Sequence, residues 1–238
     1  MKQLILLFAT VGVVSLTMAQ KTINDDNAVE RKITSFNAIH VQNGIDLYLT
    51  QGNEEAVAVS ASETEYRNKI ITEVVNGTLK IYYKHEDGIQ MSWGNKKMKA
   101  YVSFKTLSSL NASGGADVFA EEGINTNQFS MSLSGGSDFK GKVTGNDIKM
   151  NASGGSDIYV SGQAASLTVG ASGGSDVHAY DFITDNCNVD ASGGSDIFIT
   201  ANKELNVSSS GGSDVHYKGN ATVRKNTSGG SGVKKASK

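Results

Sequence analysis

Ala152-Ser153-Gly154-Gly155-Ser156-Asp157-Ile158 contains one of seven near-copies of a Ser-Gly-Gly-(Ser/Ala)-(Asp/Gly) segment. The copies begin at Ser113, Ser134, Ser153, Ser172, Ser192, Ser210 and Ser228, at intervals of 21, 19, 19, 20, 18 and 18 residues. A period near 20 marks a solenoid, whose units bury their apolar faces only against neighbouring units. Positions five and three before the Ser are apolar in most copies: Phe129 and Met131, Ile148 and Met150, Leu167 and Val169, Leu205 and Val207. Ala112, Leu133, Ala152, Ala171 or Ala191 stands one before it; Val118, Phe139, Ile158, Val177, Ile197, Val215 or Val233 stands five after. All these offsets are odd, so one face carries the apolar set with the period of two that marks a strand. Each copy therefore predicts one coil of a parallel β-helix, with a rise of about 4.8 Å and like residues stacked in columns. The Gly pair supplies the permissive backbone that a repeated corner needs. The last copy departs from the pattern, with Gly232 in place of Asp and Lys225 and Lys235 on apolar positions, as a capping coil would.

Composition agrees with an array of tight turns. The 238 residues include 27 Gly and no Pro, where ordinary usage gives about 12 Pro. A net charge of −2 argues against nucleic acid, which requires a concentrated basic surface. Met1–Ala19 reads as a signal peptide: Lys2, an apolar run from Leu4 to Leu16, and small residues before a cut ahead of Gln20. The run is short for a membrane span, which takes about 20 apolar residues. With no Cys at the cut, no lipid anchor is expected, and no sorting module is visible towards Lys238. The chain then divides into a leader (1–19), a tail (20–33) and one β domain (34–235). That domain comprises lead-in strands over 34–106 and seven coils of about 19 residues over 107–235. The expected location is outside the cytoplasm: periplasm, cell surface or medium. Cys187 is the only cysteine, so no intrachain disulfide can form.

The lead-in lacks the repeat. Apolar alternation appears at Phe36-Ala38, Ile45-Leu47-Leu49, Val57-Val59 and Leu79-Ile81, with turns signalled at Asn43-Gly44 and Asn76-Gly77. Ser62-Glu63-Thr64-Glu65 reads as a capping box, predicting a short helix near 63–70. This block is expected to cover the open edge of the first coil near Leu107.

Phe36-Asn37-Ala38-Ile39-His40-Val41, Asn43-Gly44-Ile45-Asp46-Leu47-Tyr48-Leu49-Thr50-Gln51-Gly52, Gly77-Thr78-Leu79-Lys80-Ile81 and the Ala-Ser-Gly-Gly-Ser-Asp copies together resemble the bacterial "putative auto-transporter adhesin, head GIN domain" family. The resemblance covers roughly 34–235. It implies a right-handed, pectin-lyase-like β-helix, export from a Bacteroidetes-type bacterium, and an adhesion role without known catalytic residues. The chain reads Gly44-Ile45-Asp46 where the family label has Asn, and Phe104-Lys105 where a Pro is expected.

Two outward columns are the candidates for chemistry. Asp117, Asp138, Asp157, Asp176, Asp196 and Asp214 fall at an even offset and so face out. In water, neighbouring charges about 4.8 Å apart repel by about 0.9 kcal/mol per pair. Compensation can come from backbone N–H groups in each residue's own turn, from a column of Ca²⁺ ions, or from raised pKa values that make an acid/base pair acting on a polysaccharide. A residue copied in six coils answers to the coil rather than to a unique active site, which favours the first. Two residues further on stand Phe119, Lys140, Tyr159, His178, Phe198, His216 and Lys234. These can stack on sugar rings or fill a protein partner's groove; the plainer reading is a ladder of β-favouring residues. His178 and His216 lie two coils apart, too far to share a metal. Trp93, in a polar stretch, is a candidate contact tip; the plainer reading is that it folds back over the coil end. Cys187 occupies the apolar slot of Ile148 and Leu167 and reads as a small buried hydrophobe. The function so predicted is a non-enzymatic exported β-helix that presents this face to a glycan or cell-surface protein. A carbohydrate-active enzyme and a purely structural envelope protein are the alternatives.

Overall fold

The computed structural model describes residues 25–84 and 96–236; the predicted leader and Trp93 lie outside them. The lead-in begins with β1 (Val29–Arg31), β2 (Ala38–Gln42) and β3 (Asp46–Gln51). It continues through β4 (Ala56–Ser60), α1 (Thr64–Asn68) and β5 (Ile70–Val75) to β6 (Thr78–Tyr83) and β7 (Lys99–Phe104). The repeats supply β8 (Ser109–Ser113), β9 (Val118–Asn125), β10 (Gln128–Ser134), β11 (Phe139–Thr144) and β12 (Asp147–Ser153). Three long strands follow, β13 (Ile158–Ser172), β14 (Val177–Ala191) and β15 (Asp196–Ser209). Last come β16 (Asp214–Lys218), β17 (Thr222–Thr227) and β18 (Gly232–Lys235).

The repeats stack as a parallel β-solenoid in the predicted register. Met131 pairs with Leu110 and Met150, Met150 with Val169, Val169 with Val189, and Val189 with Val207. Beyond the corner, Val118, Phe139, Ile158, Val177, Ile197 and Val215 stack in turn and are wholly buried. Burial of each such side chain stabilises by roughly 1.5–3 kcal/mol. Cys187 sits between Leu167 and Leu205, where burial pushes its thiol up to about 12. At Lys225, Lys234 and Lys235 the columns become charged and exposed.

The lead-in is more regular than its sequence suggests. Strand β2 lies parallel between β6 and β8, and β3 between β7 and β9. Two further rungs therefore extend the stack, although the one met second along the chain lies outermost. Between β3 and β8 the chain climbs away and comes back. Antiparallel strands close the outer end: β5 on β6, β4 on β7 and β1 on β4. The Asn76-Gly77 turn of the β5–β6 hairpin has both φ positive, 51° and 75°, as a two-residue hairpin turn matched to strand twist requires. The capping box does not form. Glu63 is the N-cap, makes no side-chain cap bond, and the helix is only five residues long. Glu65 bonds Lys69 at 2.9 Å instead, and Ile70 begins β5.

Candidate functional site: the aspartate and aromatic columns

Corner geometry fixes where the outward side chains point. In register, Val41 and Gln42 match Ala112 and Ser113, and Leu47 matches Val118. Asn43-Gly44 is thus the lead-in's version of Gly114-Gly115, and all four residues have φ between 64° and 75°. Asn is the non-glycine residue that tolerates this left-handed region best. Asp46 accordingly extends the Asp column, and Tyr48 and Tyr101 extend the aromatic one. None of these three stood out in the sequence. The signal was there in Asn43-Gly44-Ile45-Asp46, once Asn-Gly is read as Gly-Gly.

The aspartates are half-buried and bond between coils, not within their own turns. The N–H groups of Asp138, Asp157, Asp176 and Asp196 donate to Oδ1 of Asp117, Asp138, Asp157 and Asp176 at 3.2, 3.0, 3.0 and 2.9 Å. A hydrogen bond to a charged acceptor contributes roughly 1.5–3 kcal/mol, which works against the repulsion between neighbouring carboxylates. The pattern ends at Asp214, whose N–H donates to the Ser195 carbonyl at 3.1 Å and whose carboxylate meets Lys234 Nζ at 3.5 Å. Burial, then the charge of the next carboxylate in the column, raises the carboxyls of Asp46 and Asp117 above the usual 3.8. For Asp117 the Asp138 N–H pulls the other way. Among the described residues, no three His, Cys, Asp or Glu side chains converge as a metal site needs.

A second column at the corner faces inward. Ser137, Ser156, Ser175, Ser195 and Ser213 are wholly buried. Their offset from the leading Ser is odd, the same parity as the buried apolar set. Ser137 Oγ accepts from the Ala116 N–H at 3.0 Å, and Ser156 and Ser175 Oγ accept from the Ser137 and Ser156 N–H groups at 3.1 Å. Further on the roles reverse. Ser195 Oγ donates to the Ser192 carbonyl at 3.0 Å, and Ser213 Oγ to that of Ser210 at 2.9 Å.

The aromatic column is two stacks with one break. Tyr101, Tyr48 and Phe119 stack at 5.3 and 5.0 Å. Tyr159, His178, Phe198 and His216 stack at 4.6, 5.1 and 5.1 Å, with planes within 5–11° of parallel. Between the stacks lies Lys140, in register with Phe119 on one side and Tyr159 on the other. Rings within a stack cover one another's faces, so the strip shows solvent mainly ring edges. Tyr159, at the break, is 44% exposed. Burial, then the charges of Asp157, Asp138 and Asp176, raises its hydroxyl pKa. At the far end the Tyr101 hydroxyl donates to Asp25 Oδ2 at 2.8 Å. The structure thus brings Asp117, Asp138, Asp157, Asp176, Asp196, Asp214, Phe119, Tyr159, His178, Phe198 and His216 onto one outward face.

With this geometry in view, the family model described as "Putative auto-transporter adhesin, head GIN domain" matches residues 35–221. The chain belongs to this family. The head GIN fold also recurs in solved structures. A "putative adhesin" from Bacteroides fragilis superposes with a TM-score of 0.79 at 20% identity, covering 88% of this chain and 96% of the other. A "putative adhesin" from Parabacteroides merdae gives 0.68 at 18% identity, over 88% and 95%. A "putative lipid binding protein" from Parabacteroides distasonis gives 0.66 at 21%, over 88% and 96%. At such identities the likeness establishes the head GIN architecture alone. No curated protein matches the sequence. Among the described residues no helix is long and apolar enough to cross a membrane.

Proposed function

We propose that this head GIN protein is exported and acts as a non-enzymatic adhesion module, binding carbohydrate on the Asp–aromatic face. One observation carries the reading: a strip of stacked rings runs beside a column of carboxylates on the same outward surface. Ring C–H edges and faces offer apolar contact to a sugar, and carboxylates accept hydrogen bonds from its hydroxyls. Family membership supports adhesion as the setting. The repetition of one Asp geometry from coil to coil supports binding along a chain, where an enzyme would single out one coil. The test is retention on immobilised polysaccharides. The wild-type protein is retained by at least one of them, and the Tyr159→Ala/Phe198→Ala double variant elutes with the void. Equal retention of both proteins, or none of either, overturns the reading. Export is checked by the mass of the mature chain, which should begin at Gln20.

A further inference from the structure

Lys140 is the non-aromatic position of the column that has a ring on both sides, Phe119 and Tyr159. The faces of Phe119 and Tyr159 that turn towards it have no ring neighbour among the described residues, whereas successive rings within each stack cover one another at 4.6–5.3 Å. Phe119 and Tyr159 stand two rungs apart, about 9.6 Å at the usual strand spacing. Lys140 is exposed, and its ammonium makes no ion pair or ring contact with a described residue. Its flexible stem can therefore leave the gap without breaking a bond. A flat ring touching both walls at van der Waals distance needs roughly 7–8 Å between them and would sit loosely. A puckered six-membered sugar ring is thicker and fills the space, with axial and equatorial C–H groups against both aromatic faces.

The rim of the gap selects among sugars. Asp117, Asp138 and Asp157 line one side, each with Oδ1 already accepting an N–H from the next coil. Oδ2 is left to accept hydroxyl donors. Three carboxylates against Lys140 disfavour a uronate, whose charge would meet like charge. We infer that the gap at Lys140 is a subsite in which Phe119 and Tyr159 sandwich one neutral pyranose unit, while Asp138 and its neighbours accept its hydroxyls.

This deepens the carbohydrate reading of the face and rests on it. The experiment titrates the mature protein with cellohexaose, mannohexaose and xylohexaose, with trigalacturonate as the charged probe. Binding is followed by calorimetry and by saturation-transfer NMR. Lys140→Tyr continues the ring column through the gap and should weaken hexaose binding by roughly tenfold or more, with an unchanged or raised melting temperature. Lys140→Ala opens the gap and should bind at least as well as wild type. The saturation transfer should concentrate on one sugar unit. If Lys140→Tyr binds like wild type while Tyr159→Ala/Phe198→Ala does not, the subsite is wrong and the face reading survives. If trigalacturonate binds better than every hexaose, the assignment to neutral sugars is overturned. If no probe binds the wild-type protein, both inferences fall.

Discussion

The corners of the first three repeats and those of the last four share the Ser-Gly-Gly motif and adopt two structures. At Gly114-Gly115, Gly135-Gly136 and Gly154-Gly155 both glycines have positive φ; from Gly173-Gly174 onward only the first does. Hydrogen bonding changes with it. In the early corners Gly114 and Gly115 N–H donate forward to the carbonyls of Ser134 and Gly135 at 3.2 and 3.1 Å; in the late ones Gly194 and Gly212 N–H donate back to Gly173 and Gly193 at 2.8 and 2.7 Å. One coil beyond the glycine change, after Ser175, the buried serines turn from acceptors of backbone N–H into donors to carbonyls, and Asp176 in that same coil is the last acceptor of the Asp ladder. Rotating one peptide unit exchanges a donor for an acceptor, and a hydroxyl can answer either way. Ser serves both halves because it is indifferent to the direction, which an apolar residue or a carbonyl-only side chain is not.

Substitutions at matched positions can break this comparison. The largest effect is expected for Gly193→Ala: a β-carbon there would lie 2.7 Å from the Gly173 carbonyl oxygen, on a backbone with φ of 76°. Strain plus overpacking should cost more than about 2 kcal/mol, read as a lower urea midpoint. Ser156→Ala orphans the buried Ser137 N–H and should cost about 2 kcal/mol; Ser213→Ala removes only a donor and should cost about 1. Equal losses at the two serines would mean that the reversal of roles has no energetic consequence. Gly155 and Gly174 occupy the same slot of the motif, and a β-carbon added at either would meet no atom within 4 Å, but only Gly155 has positive φ, at 79°. Gly155→Ala should therefore destabilise by about 1–2 kcal/mol, whereas Gly174→Ala should stabilise by about 0.4–1 kcal/mol through the unfolded chain. Opposite signs at equivalent residues would be the sharpest evidence for two corner types.

The smallest effect is in pH dependence. Asp46 and Asp117 have carboxyls raised in the folded state above 3.8, so between that value and the folded one the native protein holds more protons than the unfolded chain. Stability from these two groups then falls as pH rises through the window, and the deficit persists at neutral pH. Asp46→Asn should raise the urea midpoint at pH 7, and the gain should vanish below about pH 3.8. A gain that is independent of pH would remove the electrostatic cause.

The coils were legible because apolar residues at odd offsets can only face one way: Phe139, Met150 and Ile197 lie where parity put them. The lead-in rungs were not legible, because the excursion between Gln51 and Ser109 breaks the period and Asn43-Gly44 replaces Gly-Gly. Ser156 shares the inward parity but was not singled out, because its hydroxyl finds its partner in the adjacent coil, at the Ser137 N–H. Likewise the partner of Asp117, Asp138, Asp157 and Asp176 is the N–H of the next Asp, some 19–21 residues away, which reasoning from local turns does not reach. The columns themselves were readable. The break at Lys140 acquires meaning only once Tyr48 and Tyr101 join Phe119 to make a second stack.

The placement of β6 and β7 outside β2 and β3 gives assembly a direction. Pairing Val41 with Ala112 closes a long loop, whereas each later coil needs only its own short circuit, and loop closure becomes costlier with length. With the far side occupied, an incoming strand meets a single free template and can add only downstream. Folding should resemble a zipper with one slow first tooth: truncation after Ser134 should leave the refolding rate nearly intact, while disruption of the Asn76-Gly77 hairpin should slow it, as stopped-flow refolding would read.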